Sequence, residues 1–178
     1  MNALSHTTGY AIVALSFVGC SAKPWVQAHE IAQKTGIPKP YLSKILHELG
    51  RAGVIRTKRG AGGGVALSRP ASAVTLWDVA QAVEPMAGEP RCFLGMAACS
   101  EANPCPMHPF WTELRHKTHD HLAHTTLAQV AEYQSSMGFK AVAIQELFRA
   151  SPLRGHVYGG KPTGRFLRKF GVLNNEVT

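Results

Sequence analysis

Gly36 and Ile37 sit between two short runs of apolar residues, and that junction constrains the fold more than any other stretch of the chain. Before it, residues 26–35 place Ala28, Ile31 and Ala32 at helical spacing. After it, Pro38 stands at a helix start, where its missing N–H costs nothing. Tyr41, Leu42, Ile45, Leu46 and Leu49 then form a dense apolar face that stops before Gly50 and Gly53. A glycine that closes one helix immediately before the next begins leaves room only for a tight turn, so the pair reads as helix-turn-helix. Residues 54–57 and 65–68 follow as two strand-like runs joined by Lys58-Arg59-Gly60-Ala61-Gly62-Gly63-Gly64, the pattern of a wing.

Two further helices complete this unit. Residues 7–20 repeat apolar side chains at Tyr10, Val13, Ala14, Phe17 and Val18, with Thr7 or Thr8 as the cap and Cys20 as a small buried hydrophobe. Residues 76–83 turn Leu76, Val79, Ala80 and Val83 back onto the same core. The apolar run ending at Cys20 is expected to be a core helix in preference to a lipoprotein signal, since no Lys or Arg precedes Lys23 and the run is short for a membrane span. The glycine-rich loop is no phosphate cradle either: no Gly-Lys-Ser/Thr ends it, and a strand follows where a helix is required.

Charge adds a partner. The chain carries 19 Lys+Arg against 11 Asp+Glu, a net +8, and between residues 39 and 59 Lys39, Lys44, Arg51, Arg56, Lys58 and Arg59 face only Glu48. Double-stranded DNA is the expected ligand, with the second helix in the major groove. Lys39, Pro40, Tyr41, Ser43 and Lys44 are the exposed candidates there: Lys44 can donate to guanine, Ser43 can donate or accept, and Tyr41 can reach a phosphate or sugar. Lys58 and Arg59 put charge on the wing tip, where an arginine suits a narrow minor groove. A helix-turn-helix used only for protein contacts is the alternative.

Beyond Pro85 the chain loses periodicity until about Pro109, and within that stretch lie Cys92, Cys99, Cys105 and His108. So long a structureless segment needs an external source of order, and bound metal supplies one. Thiolates with an imidazole suit an iron-sulfur cluster or zinc, and the absence of tight Cys-x2-Cys pairs favours the cluster. Three of the four cysteines in one loop argue against a disulfide framework and fit a reducing cytoplasm.

From Pro109 a single helix is predicted to run to Met137, with Phe110, Trp111, Leu114, Leu122, Leu127, Val130 and Tyr133 as its apolar side. It is too long to bury that side within one subunit, so it is expected to pair with its twin in a homodimer. His116, Asp120 and His124 share one face of it and are read as solvated surface before a metal or pH site. From Gly138 onward seven Lys/Arg stand against two Glu, a basic tail with short helices expected at 141–150 and around Phe166.

Taken in order, Gly9-Tyr10-Ala11, Gly36-Ile37 through Tyr41-Leu42, Arg59-Gly60-x-Gly62-Gly63-Gly64 and three cysteines before His108-Pro109-Phe110-Trp111 resemble the bacterial iron-sulfur regulators of the IscR/NsrR type over about residues 5 to 135. That resemblance implies a cytoplasmic homodimer that binds operator DNA, read as a repressor, whose cluster responds to iron supply, redox state or nitric oxide. It implies Cys92, Cys99, Cys105 and His108 as ligands of a 2Fe-2S cluster, with a 4Fe-4S cluster completed by another group as second choice. The first gap is six residues here where the family usually has five, and the N-terminal acid of the NsrR branch is replaced by Gly9.

The resulting expectation is a mainly α fold and a protein that is not an enzyme. A winged helix-turn-helix with a small β-hairpin wing spans 1–84, a cluster-binding loop 85–109, a dimerisation helix 110–137 and a basic, partly flexible tail 138–178. A zinc-stabilised regulator without redox sensing and a cluster-handling or electron-transfer protein are the alternatives.

Overall fold

The computed structural model describes residues 5–84 and 92–137. The expected tail with its two short helices and the opening of the loop at 85–91 lie outside the described residues. The fold is mainly α: among the described residues there are six α-helices, a short 3-10 turn at Ala71–Ala73 and one two-stranded antiparallel hairpin.

Helix α1 (His6–Cys20) is the centre of the molecule. Tyr10, Ala11, Ile12, Ala14, Leu15 and Val18 are all buried, which covers nearly its whole circumference, and a helix apolar on every side must be packed on every side. Accordingly α2 (Ala28–Thr35), α3 (Lys39–Arg51), α4 (Leu76–Val83) and α6 (Leu127–Met137) all touch it. Its cap is Ser5, whose hydroxyl accepts from the Thr8 N–H at 3.3 Å, rather than the expected Thr7 or Thr8. Cys20 is exposed, not buried: it ends the helix two residues after Val18, the last of α1 to enter the core.

Helix α2 begins two residues later than predicted and leaves Ala28 exposed. The reason lies in the wing. Val26 exchanges two backbone hydrogen bonds with Val65, of 2.9 and 2.8 Å, so it is held extended and Gln27 becomes the cap. Gly36 closes α2 in the left-handed region at φ 73°, as the sequence requires. The wing strands are β1 (Ile55–Lys58) and β2 (Gly64–Leu67), in register Ile55 to Leu67 and Lys58 to Gly64. Gly64 has φ 151°, and a Cβ there would lie 2.5 Å from the Val26 carbonyl oxygen.

The long helix predicted over 110–137 is two helices, α5 (His108–His124) and α6, broken at Thr125 and Thr126. Thr125 is extended at φ −95°, ψ 125°. Its carbonyl accepts from the Leu76 N–H at 2.8 Å, and the Leu127 N–H donates to Val74 O at 2.8 Å. Thr126 and Gln129 cap the new helix start. The break turns Leu127, which is fully buried, and Ala131 into the core beside α1. Burial of one leucine is worth about 1.5–3 kcal/mol, and the new backbone bonds replace those the break removes. Val130 also packs against the core, whereas Tyr133, the remaining apolar residue expected in this half, is exposed.

Replacing Gly64 with Ala is expected to destabilise the protein by about 1–3 kcal/mol, because strain and the Val26 contact add. Gly9 lies inside α1 with open space where a Cβ would stand. Gly9→Ala is therefore expected to stabilise it by about 0.5–1 kcal/mol. Denaturant unfolding followed by circular dichroism reads both signs.

Candidate DNA-binding face and metal centre

The N-terminal half of α3 presents Lys39, Pro40, Ser43 and Lys44 to solvent. The Ser43 hydroxyl donates back to Lys39 O at 3.0 Å, which leaves its oxygen outward as an acceptor. Tyr41 differs from expectation. It is half-buried, its hydroxyl lies 2.6 Å from Thr7 Oγ1, and its ring meets Tyr10 edge-on at 5.5 Å. Its place is a brace between α3 and α1. Lys58 and Arg59 are exposed where the hairpin turns, with Gly60 and Gly62 in positive-φ conformations supporting the reversal. Trp25, which the sequence did not single out, joins this surface: the Arg56 guanidinium lies over its ring, 5.9 Å from the centroid. A lone tryptophan beside a turn gave no periodic signal; only the Val26–Val65 pairing brings it to the hairpin.

The second cluster is built by turns. The Gly95 N–H donates to Cys92 O at 3.0 Å, and the Cys99 N–H donates to Met96 O at 3.2 Å. Two successive turns thus take up the six residues between Cys92 and Cys99, with Gly95 at φ 71° allowing the reversal. A third turn pairs Ser100 with Asn103, and the His108 N–H donates to Cys105 O at 2.9 Å as α5 begins. The outcome is convergence: the sulfurs of Cys92, Cys99 and Cys105 all lie within 4.8 Å of one another. Cys92 and Cys105 are 3.8 Å apart, and His108 Nδ1 is 3.2 Å from Cys99 Sγ. Two thiolates about 2.3 Å from one tetrahedral ion would stand roughly 3.8 Å apart, so the set is compatible with metal binding.

The thiols differ in acidity. The Met96 backbone N–H directed at Cys92 is the largest influence there and, with the Leu94 N–H and the Cys99 and Cys105 thiols, lowers it to about 7 against desolvation. At Cys99 the Cys105 N–H favours the thiolate, yet desolvation and the Cys105 and Cys92 sulfurs together outweigh it and push the thiol up. Among the described residues no other three His, Cys, Asp or Glu donors converge in this way. His116, Asp120 and His124 are exposed, and the His124 ring nitrogen is engaged by Asp120 O at 2.7 Å.

Because a lowered pKa means more thiolate at a given pH, metal-free protein treated with iodoacetamide at pH 7 is expected to be alkylated at Cys92 well before Cys99. Raising the pH should narrow the gap. Peptide mass spectrometry over a time course measures the order.

Residues 4–133 match the Rrf2 family, described as "Iron-dependent Transcriptional regulator". Over 125 residues the chain is 34% identical to an Aquifex aeolicus protein whose name places it among HTH-type transcriptional regulators, covering 69% of this chain and 87% of that one. Over 126 residues it is 30% identical to the HTH-type transcriptional regulator IscR of Yersinia pseudotuberculosis, covering 70% of this chain and 76% of that one. The structure of CymR, the global cysteine regulator of B. subtilis, shares the fold with a TM-score of 0.63 at 22% identity, covering 75% of this chain and 98% of that one. Among the described residues no helix is long and apolar enough to cross a membrane. With its winged helix, basic recognition face and matching residues 4–133, the chain belongs to the Rrf2 family of DNA-binding transcriptional regulators, which are not enzymes.

Proposed function

We propose that this regulator is a cytoplasmic homodimeric repressor whose operator affinity is set by an iron-sulfur cluster on Cys92, Cys99, Cys105 and His108, reporting iron supply, redox state or nitric oxide. The observation that carries this reading is the convergence of three sulfurs on one point with an imidazole beside them. Cys92 Sγ lies 3.8 Å from Cys105 Sγ and Cys99 Sγ 3.2 Å from His108 Nδ1, within one set whose three sulfurs all lie within 4.8 Å of one another. A 2Fe-2S cluster takes four protein ligands, two on each iron, and three cysteines with one histidine supply that number; it is the form favoured here over a 4Fe-4S cluster. When bound, such a cluster supplies a one-electron couple and ligand bonds that hold the loop.

The chain's own residues carry the coupling. His108 is the first residue of α5, so a ligand bond there fixes one end of that helix. Along its length α5 packs on α4, where Trp77 meets His119 edge-on at 4.5 Å, and α4 packs on the recognition helix α3. Leu122 alone is buried on α5 and Phe110 is exposed, which supports pairing of this helix with a second copy. In that dimer the angle of α5 sets the separation of the two α3 helices, and half-sites about 34–36 Å apart accept only a narrow range of separations. Lys39, Pro40, Ser43 and Lys44 then meet the major groove and Lys58 and Arg59 the flanking backbone or minor groove, with Tyr41 holding α3 in place.

Anaerobic purification followed by iron, zinc and sulfide analysis tests the centre. Equimolar iron and inorganic sulfide with a visible chromophore are expected, and Cys99→Ala should abolish the colour without unfolding the winged helix. Stoichiometric zinc without sulfide or colour would instead establish a zinc-stabilised regulator, which the compact sulfur set also accommodates.

A further inference from the structure

We propose that Glu101 is a positioning residue of the metal centre: its carboxylate selects the tautomer of His108 in which Nδ1, and not Nε2, is the free imidazole donor presented to the cysteines. The inference rests on the reading of His108 as a ligand and goes beyond it, since Glu101 is neither a cysteine nor an imidazole and no spacing rule singles it out.

Geometry carries the argument. The two nitrogens of the His108 ring are both engaged, on opposite sides: Nε2 lies 3.1 Å from Glu101 Oε1, and Nδ1 lies 3.2 Å from Cys99 Sγ. An ionised carboxylate only accepts, so the proton of the neutral ring sits on Nε2. A neutral imidazole carries one proton, and Nδ1 is left with its lone pair aimed toward the sulfurs. Because Glu101 holds the far nitrogen, its carboxylate is outside the donor set and acts through the ring.

The local fold prepares this contact. Ser100 and Asn103 exchange backbone hydrogen bonds of 3.3 and 3.1 Å, the Asn103 N–H also donates to Ser100 Oγ, and its side-chain amide donates to Ala98 O. Glu101 occupies the turn these bonds close. On the other side, the His108 backbone is tied to Cys105 O at 2.9 Å and its side chain is only 17% exposed, which limits the ring's freedom. Glu101 itself is 87% exposed, so water screens its charge and the contribution is orientation more than attraction. Removing a hydrogen-bond partner of a metal-bound histidine typically costs 10–100-fold in metal affinity, and screening places this case near the lower end, about tenfold.

The test uses the metal-free full-length chain titrated anaerobically with cobalt(II), whose charge-transfer and d–d bands report the ligand set independently of DNA binding. His108→Ala should shift the d–d bands and weaken binding. Glu101→Ala should weaken binding about tenfold. Glu101→Gln, whose amide oxygen accepts the same bond, should restore wild-type affinity. In a His108→Ala background, Glu101→Ala should have no further effect. If His108→Ala leaves bands and affinity unchanged, His108 is not a ligand and the four-ligand reading itself fails. If His108→Ala acts while Glu101→Ala binds like wild type, the Glu101 inference alone is overturned. It is equally overturned if Glu101→Gln is as weak as Glu101→Ala, or if the loss at Glu101 persists without His108.

Discussion

Two backbone hydrogen bonds, Leu76 N–H to Thr125 O and Leu127 N–H to Val74 O, hold together segments that are far apart in the sequence, and the arrangement of the molecule follows from them. Each contributes only about 1 kcal/mol net. Their effect is geometric. By pairing the entry of α4 with the junction of α5 and α6, they send α6 back onto α1 and leave α5 as an arm along α4. The start of that arm is His108, the last residue of the proposed ligand set. On the proposed ligation, a change at His108 would be delivered to a helix whose opposite end is clamped to the core, and the clamp would convert local rearrangement into a change of helix angle.

The loop that ends at His108 is the opposite case. Phe93, Leu94 and Met96 are exposed, and the Phe93 ring meets Trp111 at 5.3 Å. Backbone turns bring the sulfurs together, and among the described residues the hydrophobic core includes none of residues 92–107. In such a segment the proposed ligand bonds would supply order that packing does not, so the stability of the loop would follow the occupancy of the site. Coupling between two sites in a protein is typically 1–3 kcal/mol, a range within reach of a helix that begins at the proposed ligand His108 and reaches the recognition helix through α4.

Local patterns made much of this visible in advance. Gly36 marked the turn between α2 and α3, the apolar face of α3 fixed its orientation, and the glycines after Arg59 marked the hairpin, because each is a short-range requirement of backbone or burial. The features that escaped all depend on distant partners. Thr125 and Thr126 sit in a pattern that continues as helix, and only Val74 and Leu76 make the break favourable. Tyr41 has the composition of a surface anchor, yet Tyr10 and Thr7 claim its ring and hydroxyl. Cys20 ends an apolar run and lies just past the core that buries the rest of it. At the site, the ligand candidates were legible because soft donors are rare and conspicuous, whereas Glu101 was not, since a glutamate in a polar loop carries no signal until a ring nitrogen is found beside it.

The central claim is that ligation at the start of α5 and operator binding by α3 are one equilibrium. It is tested most directly by anaerobic fluorescence anisotropy at fixed salt, using a duplex selected from random sequence by the protein and comparing the cluster-loaded chain with the same preparation stripped of metal. The account predicts a difference in operator affinity of about 5–150-fold, absent for a non-specific duplex. Equal affinity of the loaded and stripped protein for the selected duplex would contradict it.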